Sequence, residues 1–173
     1  MDVQWTAYNS PVGVLTLVEC AAGPLVVEFA SRVADLRWAE RLRARRPAVR
    51  IGVGPCDQTT QWLDAYFSGT PQPAPWPAYL LDWMAPSPQQ AAVWEALCDI
   101  PLGETRAYDD IARATGLHPR LVGQLNGANW LALRIPCHRV VGKKGDLVGY
   151  GGGLDRKRWL LAHELRSTGL VLR

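Results

Sequence analysis

The sequence Ile135-Pro136-Cys137-His138-Arg139-Val140 holds the most reactive pair of side chains in the chain, a cysteine directly followed by a histidine. A thiolate is the best side-chain nucleophile for a saturated carbon, and at neutral pH it needs a base to form. Because adjacent side chains rarely point at each other, we expect His138 to act through a bridging water. From these residues alone, a buried structural thiol beside a surface imidazole is the commoner explanation.

Two motifs follow on the C-terminal side of this stretch. The run Gly149-Tyr150-Gly151-Gly152-Gly153 lets the backbone approach a ligand closely and offers unhindered N–H donors. Leu154 to Leu165 is predicted to form the last helix. Glu164 on that helix can orient the His138 imidazole and stabilise its cation, or it can be a solvated acid in the last turn.

On the N-terminal side the pattern is helical. Ser87-Pro88-Gln89-Gln90 predicts a capping box that opens a helix ending near residues 102–103. A short helix is predicted from Tyr108 to Thr115, ended by Gly116. Pro119 opens another helix, which runs to about Ala128. Two short helices joined by a tight turn predict a helix-turn-helix, although any small helical domain contains such a corner.

The first half of the chain mixes strands and helices. Three antiparallel strands are predicted at residues 5–8, 13–19 and 25–29. Helices are predicted from Ser31 to about Arg46 and from Asp57 to Phe67, and the proline-rich stretch up to Pro77 is predicted to be an extended connection.

A seam near residues 85–88 divides the chain into two predicted domains. Residues 1–85 form an N-terminal α/β domain, and residues 86–173 form a mostly helical C-terminal domain, so the expected fold class is α+β.

Composition excludes several classes of protein. The 173 residues are 48% hydrophobic and 20% charged, which excludes a disordered chain, a collagen-like repeat and a coiled coil. The longest stretch without charge, residues 65–81, contains four prolines, so no membrane span or membrane partner is predicted. The start of the chain does not resemble a signal peptide. We therefore expect a cytoplasmic protein, associated with the nucleoid if the source is bacterial.

Charge is distributed unevenly along the chain. Residues 1–100 hold seven Lys and Arg against ten Asp and Glu, whereas residues 101–173 hold twelve against six. The basic second part predicts contact with nucleic acid, and an ordinary solvated surface explains the asymmetry equally well. The cysteines and histidines show no metal-binding spacing, so no metal and no cofactor are predicted.

Several motifs in order resemble one family. Asn129 stands eight residues before Cys137 in Pro-Cys-His-Arg-Val, and Gly-Tyr-Gly-Gly-Gly and Leu-Leu-Ala-His-Glu follow. With Gln90-x-x-Val93-Trp94, Gly103-Glu104-Thr105 and Tyr108 before them, these motifs closely resemble the O6-alkylguanine-DNA alkyltransferases over about residues 86–167.

The resemblance implies a fold and a function. It implies a ribonuclease H-like N-terminal domain with a three-stranded antiparallel sheet, and a C-terminal domain like a winged helix-turn-helix. The implied activity is DNA repair by direct, stoichiometric and irreversible transfer of an alkyl (methyl) group from O6 of guanine to the protein's own cysteine. The implied partner is double-stranded DNA containing O6-alkylguanine, bound through the minor groove by a monomer, with single-stranded DNA also bound.

The resemblance also implies catalytic roles. Cys137 would accept the alkyl group, and His138, through water, together with Glu164 would generate the thiolate. Asn129 would brace the turn between the recognition helix and the active-site strand. Tyr108 would stand at the 3′ phosphate during flipping and reach N3 of guanine.

DNA-binding roles follow from the same resemblance. Arg120 would enter the base stack and fill the space left by the flipped base. Small residues on the second helix, including Gly123, suit close approach to the minor groove.

Further residues would contact the flipped base. Backbone carbonyls of Cys137 and Val140 would accept from the guanine amino group, and the N–H of Gly151 would face O6. Tyr150 would line the pocket, and Lys157 would lie near it.

The chain also departs from the family pattern. Trp130 stands where the family usually has Pro, Gln89 where it has Phe, and the turn from Gly116 to Arg120 is short. Two other functions are weighed against repair. One is a lesion sensor that binds without transfer, and the other is a Cys-His-Glu thiol hydrolase that acts on acyl substrates.

Overall fold

A computed structural model of the chain describes residues 2–33, 37–70 and 76–169. Its α+β class is the one predicted. The strands of the first half are β1 (Val3–Ser10), β2 (Gly13–Cys20), β3 (Gly23–Phe29) and β4 (Ile51–Val53). Its helices are α1 (Trp38–Arg45), α2 (Asp57–Phe67) and α3 (Leu80–Trp83).

The sheet of the first half contains the three predicted antiparallel strands and one more. The strand order is β3-β2-β1-β4, and β4 runs parallel to β1 with Val3 opposite Ile51. The expectation of three strands is therefore corrected to four. β2 and β3 are buried along most of their length, whereas in β1 only Val3 is buried and the following residues alternate between partly and fully exposed.

Helix α1 begins later than predicted. The residue before it, Arg37, has a φ of 46°, which is not helical, and the helix runs only from Trp38. Within the predicted helix, residues 34–36 lie outside the described residues, as do residues 71–75 of the predicted proline-rich connection. Helix α2 has the predicted bounds.

The second half is mostly helical. Its helices are α4 (Pro88–Cys98), α5 (Tyr108–Thr115), α6 (Pro119–Gly127) and α7 (Leu154–Ser167), with a 3-10 turn over Cys137–Arg139. Strands β5 (Arg106–Ala107) and β6 (Val140–Val141) pair in parallel.

Local signals set the ends of these helices. The capping box is present, since Ser87 Oγ accepts from the Gln90 N–H at 3.2 Å and the Ser87 N–H donates to Gln90 Oε1 at 2.9 Å. Gly116, with a φ of 68°, ends α5 as predicted. The predicted end of α4 near residue 102 is wrong, because the helix stops at Cys98 and is capped by Asp99.

The two halves share backbone hydrogen bonds at the edge of the sheet. The Val27 N–H donates to Trp130 O at 2.8 Å, and the Ala132 N–H donates to Val27 O at 2.7 Å. The segment that leads into Cys137 is therefore anchored on β3. Among the described helices, none is long and apolar enough to cross a membrane. The domain boundary and the finer likenesses to ribonuclease H and to a winged helix stay predictions.

Candidate active site

Cys137 opens the 3-10 turn, directly after the segment that is bonded to β3. The residue is 6% exposed, and burial raises the pKa of its thiol to about 11. A hydrogen bond from Asn129 and the charges of Arg32 and Lys157 act in the opposite direction, and Glu28 adds to the rise. The thiol of the free protein is therefore protonated at neutral pH.

His138 and Glu164 meet directly beside this thiol. His138 Nε2 lies 2.7 Å from Glu164 Oε1, and neither side chain is exposed. The Nδ1 atom of His138 is buried and has no hydrogen-bond partner among the residues described. Because Nε2 faces a carboxylate, the neutral imidazole carries its proton there, and Nδ1 remains a free acceptor.

Three further hydrogen bonds fix the Glu164 carboxylate. Arg139 donates from Nε to Oε2 at 2.8 Å and from Nη2 to Oε1 at 3.0 Å, and the Tyr66 hydroxyl donates to Oε1 at 2.8 Å. Burial alone would raise the pKa of Glu164, but His138 and Arg139 hold it well below its usual range. The carboxylate is therefore ionised in the folded protein.

Asn129 braces the turn between α6 and the cysteine. Its Nδ2 donates to Ile135 O at 2.8 Å, and its Oδ1 accepts from the Leu131 N–H at 2.9 Å. The neighbouring Trp130 is buried, and its ring packs edge-on against Trp94 with the ring centroids 4.9 Å apart. The Trp that replaces the usual Pro thus fills the core between α4 and this turn, while Asn129 still spans it.

A pocket of about 400 Å³ opens beside the thiol. Six of the predicted site residues line it, namely Cys137, Tyr108, Gly123, Asn129, Tyr150 and Gly151. The five that do not line it are His138, Glu164, Arg120, Val140 and Lys157. Of these five, His138, Glu164, Val140 and Lys157 are buried, whereas Arg120 is exposed.

Two aromatic hydroxyls belong to the pocket wall. Tyr108 Oη lies 3.5 Å from Gly149 O and 3.5 Å from Asn126 Nδ2, and burial raises its pKa. The Tyr150 ring packs edge-on against Phe29, and its buried hydroxyl has no partner among the described residues. Burial raises the pKa of Tyr150 well above its usual value. Both hydroxyls are therefore neutral donors.

Lys157 and Val140 lie behind the wall. Lys157 is wholly buried, and its Nζ donates to Val140 O at 2.6 Å and to Val148 O at 2.9 Å. Burial lowers the pKa of its ammonium group. The Val140 carbonyl, predicted to accept from guanine, is already bound to Lys157, so its contact with a base stays a prediction.

Arg120 is exposed near the start of α6 and does not line the pocket. The His118 side chain caps this helix, with Nδ1 accepting from the Arg120 N–H at 3.2 Å. Gly123, Asn126 and Gly127 of the same helix line the pocket, so Arg120 stands at one end of a helix that forms one of its walls.

Sequence reasoning missed four residues of this site. Asn126 donates from Nδ2 to Cys137 O at 3.3 Å, and Glu28 and Arg32 reach the pocket from the end of β3. Tyr66 reaches Glu164 from α2. The only local signal for any of them is the i, i+4 spacing of Glu28 and Arg32, which is common on protein surfaces. No group of metal-ligating side chains occurs in the described ranges.

The sequence and the structure were compared with those of known proteins, and both are similar to one family. Residues 88–166 match the family described as 6-O-methylguanine DNA methyltransferase, DNA binding domain. A methylated-DNA--protein-cysteine methyltransferase of Mycolicibacterium paratuberculosis is 38% identical over 96% of this chain and 94% of its own length. The structure of Mycobacterium tuberculosis OGT in complex with DNA superposes with a TM-score of 0.74 at 32% identity, covering 96% of this chain and 94% of the other.

Proposed function

Since the chain belongs to the methylated-DNA--protein-cysteine methyltransferase family, which repairs DNA by alkyl transfer to a cysteine, we propose that Cys137 is the acceptor. The observation that carries this proposal is the buried thiol at the wall of the 400 Å³ pocket, followed by an imidazole that Glu164 holds at 2.7 Å. The substrate is O6-alkylguanine in double-stranded DNA, and single-stranded DNA is also accepted. The protein acts as a monomer.

Proton transfer prepares the thiolate. The thiol proton passes through a water to Nδ1 of His138, the buried acceptor that no described residue occupies. The resulting imidazolium donates from Nε2 to Glu164, whose negative charge stabilises it. Because the thiol pKa is about 11 in the free protein, the thiol needs this base to react at neutral pH.

The thiolate then attacks the alkyl carbon. A sulfur–carbon bond forms as the carbon–O6 bond breaks, and the bonding electron pair stays on guanine, which is protonated afterwards. The Tyr108 hydroxyl supports the departing base at N3, and the Gly151 N–H faces O6. The thioether is stable, so each molecule acts once.

The base must leave the duplex before this reaction, because O6 is hidden in the base stack. Residues 86–173 carry DNA binding and alkyl acceptance. The face of α6 at Gly123 approaches the minor groove. Extrusion of the base costs a few kcal/mol in unstacking, and Arg120 offsets part of this cost by filling the space that the base leaves.

Intact-protein mass measured after incubation with a duplex containing one O6-methylguanine tests this function. We expect a stoichiometric gain of one methyl group on Cys137 and no further turnover. Cys137→Ala should gain none while keeping nearly all DNA affinity, since phosphate contacts supply most of it. The matched control Cys98→Ala should gain the methyl as the wild type does.

Three other results would contradict this proposal. DNA binding without a mass gain would indicate a lesion sensor. Catalytic turnover of an ester would indicate a thiol hydrolase. A methyl group found on another cysteine would show that Cys137 is not the acceptor.

A further inference from the structure

One wall of the pocket is supplied by the N-terminal half of the chain. Glu28 at the end of β3 and Arg32 just after it both line the pocket that holds Cys137. Within the described part of the chain, Arg32 is the only cationic side chain in this lining. Lys157, the other cation that lowers the pKa of Cys137, is wholly buried behind the wall.

The Arg32 guanidinium is held in place from two sides. Its Nη1 donates to Glu28 Oε2 at 3.0 Å, and its Nη2 donates to Gly127 O at 3.1 Å. It also packs against Gly151, where a Cβ atom would overlap Nη1 and Nη2. A larger residue at this position would therefore displace the guanidinium from where it lies.

The two charges of the Glu28–Arg32 pair are not equally available to a ligand. The Glu28 side chain is 1% exposed, and its second oxygen accepts from the Phe29 N–H at 2.8 Å. The Arg32 side chain is 27% exposed. Only two of the five guanidinium N–H groups have acceptors in the residues described. The Arg32 guanidinium thus keeps three N–H donors without acceptors among the described residues at this wall, beside a Glu28 carboxylate whose charge raises the thiol pKa.

Alkyl transfer creates negative charge in that space. As the sulfur–carbon bond forms and the carbon–O6 bond breaks, the electron pair of the broken bond moves onto the purine. A preorganised cation in a pocket of low dielectric stabilises such charge without reorganisation. Because the guanidinium adjoins Gly151, it lies next to the backbone that would face O6.

We propose that Arg32 is a further catalytic residue, contributed by the N-terminal half, which contacts the departing guanine and stabilises the negative charge that develops on it. This inference rests on the proposed function, because it needs Cys137 to be the alkyl acceptor. The alternative is that Arg32 is purely structural and only connects the end of β3 to the end of α6 through its hydrogen bond to Gly127 O. The experiment distinguishes this structural role from the catalytic one.

The experiment compares two free bases with different leaving groups. Bromine at C8 withdraws electrons and makes the purine a better leaving group, so it needs less help from a cation. We expect Arg32→Gln to slow benzyl transfer from O6-benzylguanine to Cys137 by about 100-fold, the low end of what loss of a charge-stabilising donor costs. The loss with O6-benzyl-8-bromoguanine should be several times smaller.

Controls keep the test decisive. Arg43→Gln removes an exposed arginine of α1 and should react as the wild type does with both bases. Arg32→Lys keeps the positive charge but lacks the planar set of guanidinium N–H donors. It should lose less transfer rate than Arg32→Gln and show the same dependence on the leaving group, so it tests the proposal even if Arg32→Gln fails to fold. Equal losses with both bases, or no loss, would overturn the role of Arg32. Absence of methyl transfer from the O6-methylguanine duplex to Cys137 in the wild type would instead overturn the proposed function.

Discussion

Glu164 Oε1 lies 2.7 Å from His138 Nε2, and the two residues are 26 positions apart in the sequence. Both side chains are wholly buried. The same oxygen also accepts from Arg139 and Tyr66, so the carboxylate that orients the imidazole is itself fixed by donors from two other parts of the chain. This arrangement holds Nδ1 of His138 free to receive a proton.

The His138–Glu164 pair should behave as one unit in alkyl transfer. His138→Ala and Glu164→Gln should each slow transfer at neutral pH, because the thiol then loses its base or the stabilisation of that base. Each should recover partly as the pH approaches the thiol pKa of about 11. The double variant should cost little more than the worse single variant.

Rates of methyl transfer measured against pH for the two single variants and the double variant check this prediction. Losses that multiply in the double variant, with no recovery at high pH in either single variant, would restrict Glu164 to a structural role.

Glu164 should also contribute to stability in a pH-dependent way. Its pKa in the folded protein is lowered below the ordinary 4.5, so its contribution is fully present above pH 4.5 and is lost as the pH falls toward the folded value. Glu164→Gln leaves Arg139 without its buried partner and should cost about 3 kcal/mol or more at pH 7. Urea unfolding at several pH values should show that the difference from the wild type shrinks below about pH 4.5.

The Tyr66 hydroxyl should stabilise the fold through Glu164. Tyr66→Phe removes a buried hydrogen bond to a charged group and should cost about 1.5 to 3 kcal/mol. Tyr8→Phe is the matched control, because its hydroxyl donates to Asp64 at 2.7 Å in an exposed position. It should cost less than about 1 kcal/mol. If urea unfolding shows equal losses of unfolding free energy in the two variants, the buried contact stabilises the fold no more than the exposed one does.

The predictable parts of the site came from short-range signals. Cys137 and His138 are adjacent, and the spacing of Glu164 on a predicted helix matched the family pattern. The capping box at Ser87 and the left-handed Gly116 fixed two helix ends because each depends on a few neighbouring residues. These features could therefore be located in the sequence before the structure was known.

The parts that sequence reasoning missed depend on long-range contacts. Tyr66 bonds to a carboxylate 98 positions away, and Arg32 bonds to a carbonyl 95 positions away. Neither residue carries a local pattern that distinguishes it from an ordinary helix aromatic or surface arginine. Strand β4 has only three residues, too few for alternation to indicate a strand, and it exists because the edge of β1 is available for pairing.

Arg120 provides the last prediction, which concerns base extrusion. Its side chain is exposed near the start of α6 and does not line the pocket, so it can act on DNA without contacting the reacting atoms. Arg120→Ala should slow methyl transfer from duplex DNA by about tenfold or more, because an inserted side chain offsets part of the unstacking cost of a few kcal/mol. Reaction with free O6-benzylguanine needs no extrusion and should be nearly unchanged.

The matched control Arg113→Ala removes an exposed arginine of α5 that pairs with Asp110, and it should affect the two substrates alike. Single-turnover rates of alkyl transfer, measured with both substrates, test the role of Arg120 in extrusion. Extrusion occurs only with duplex DNA, so only its loss can slow one substrate and not the other. An equal loss of rate with both substrates in Arg120→Ala would therefore show that the residue is structural.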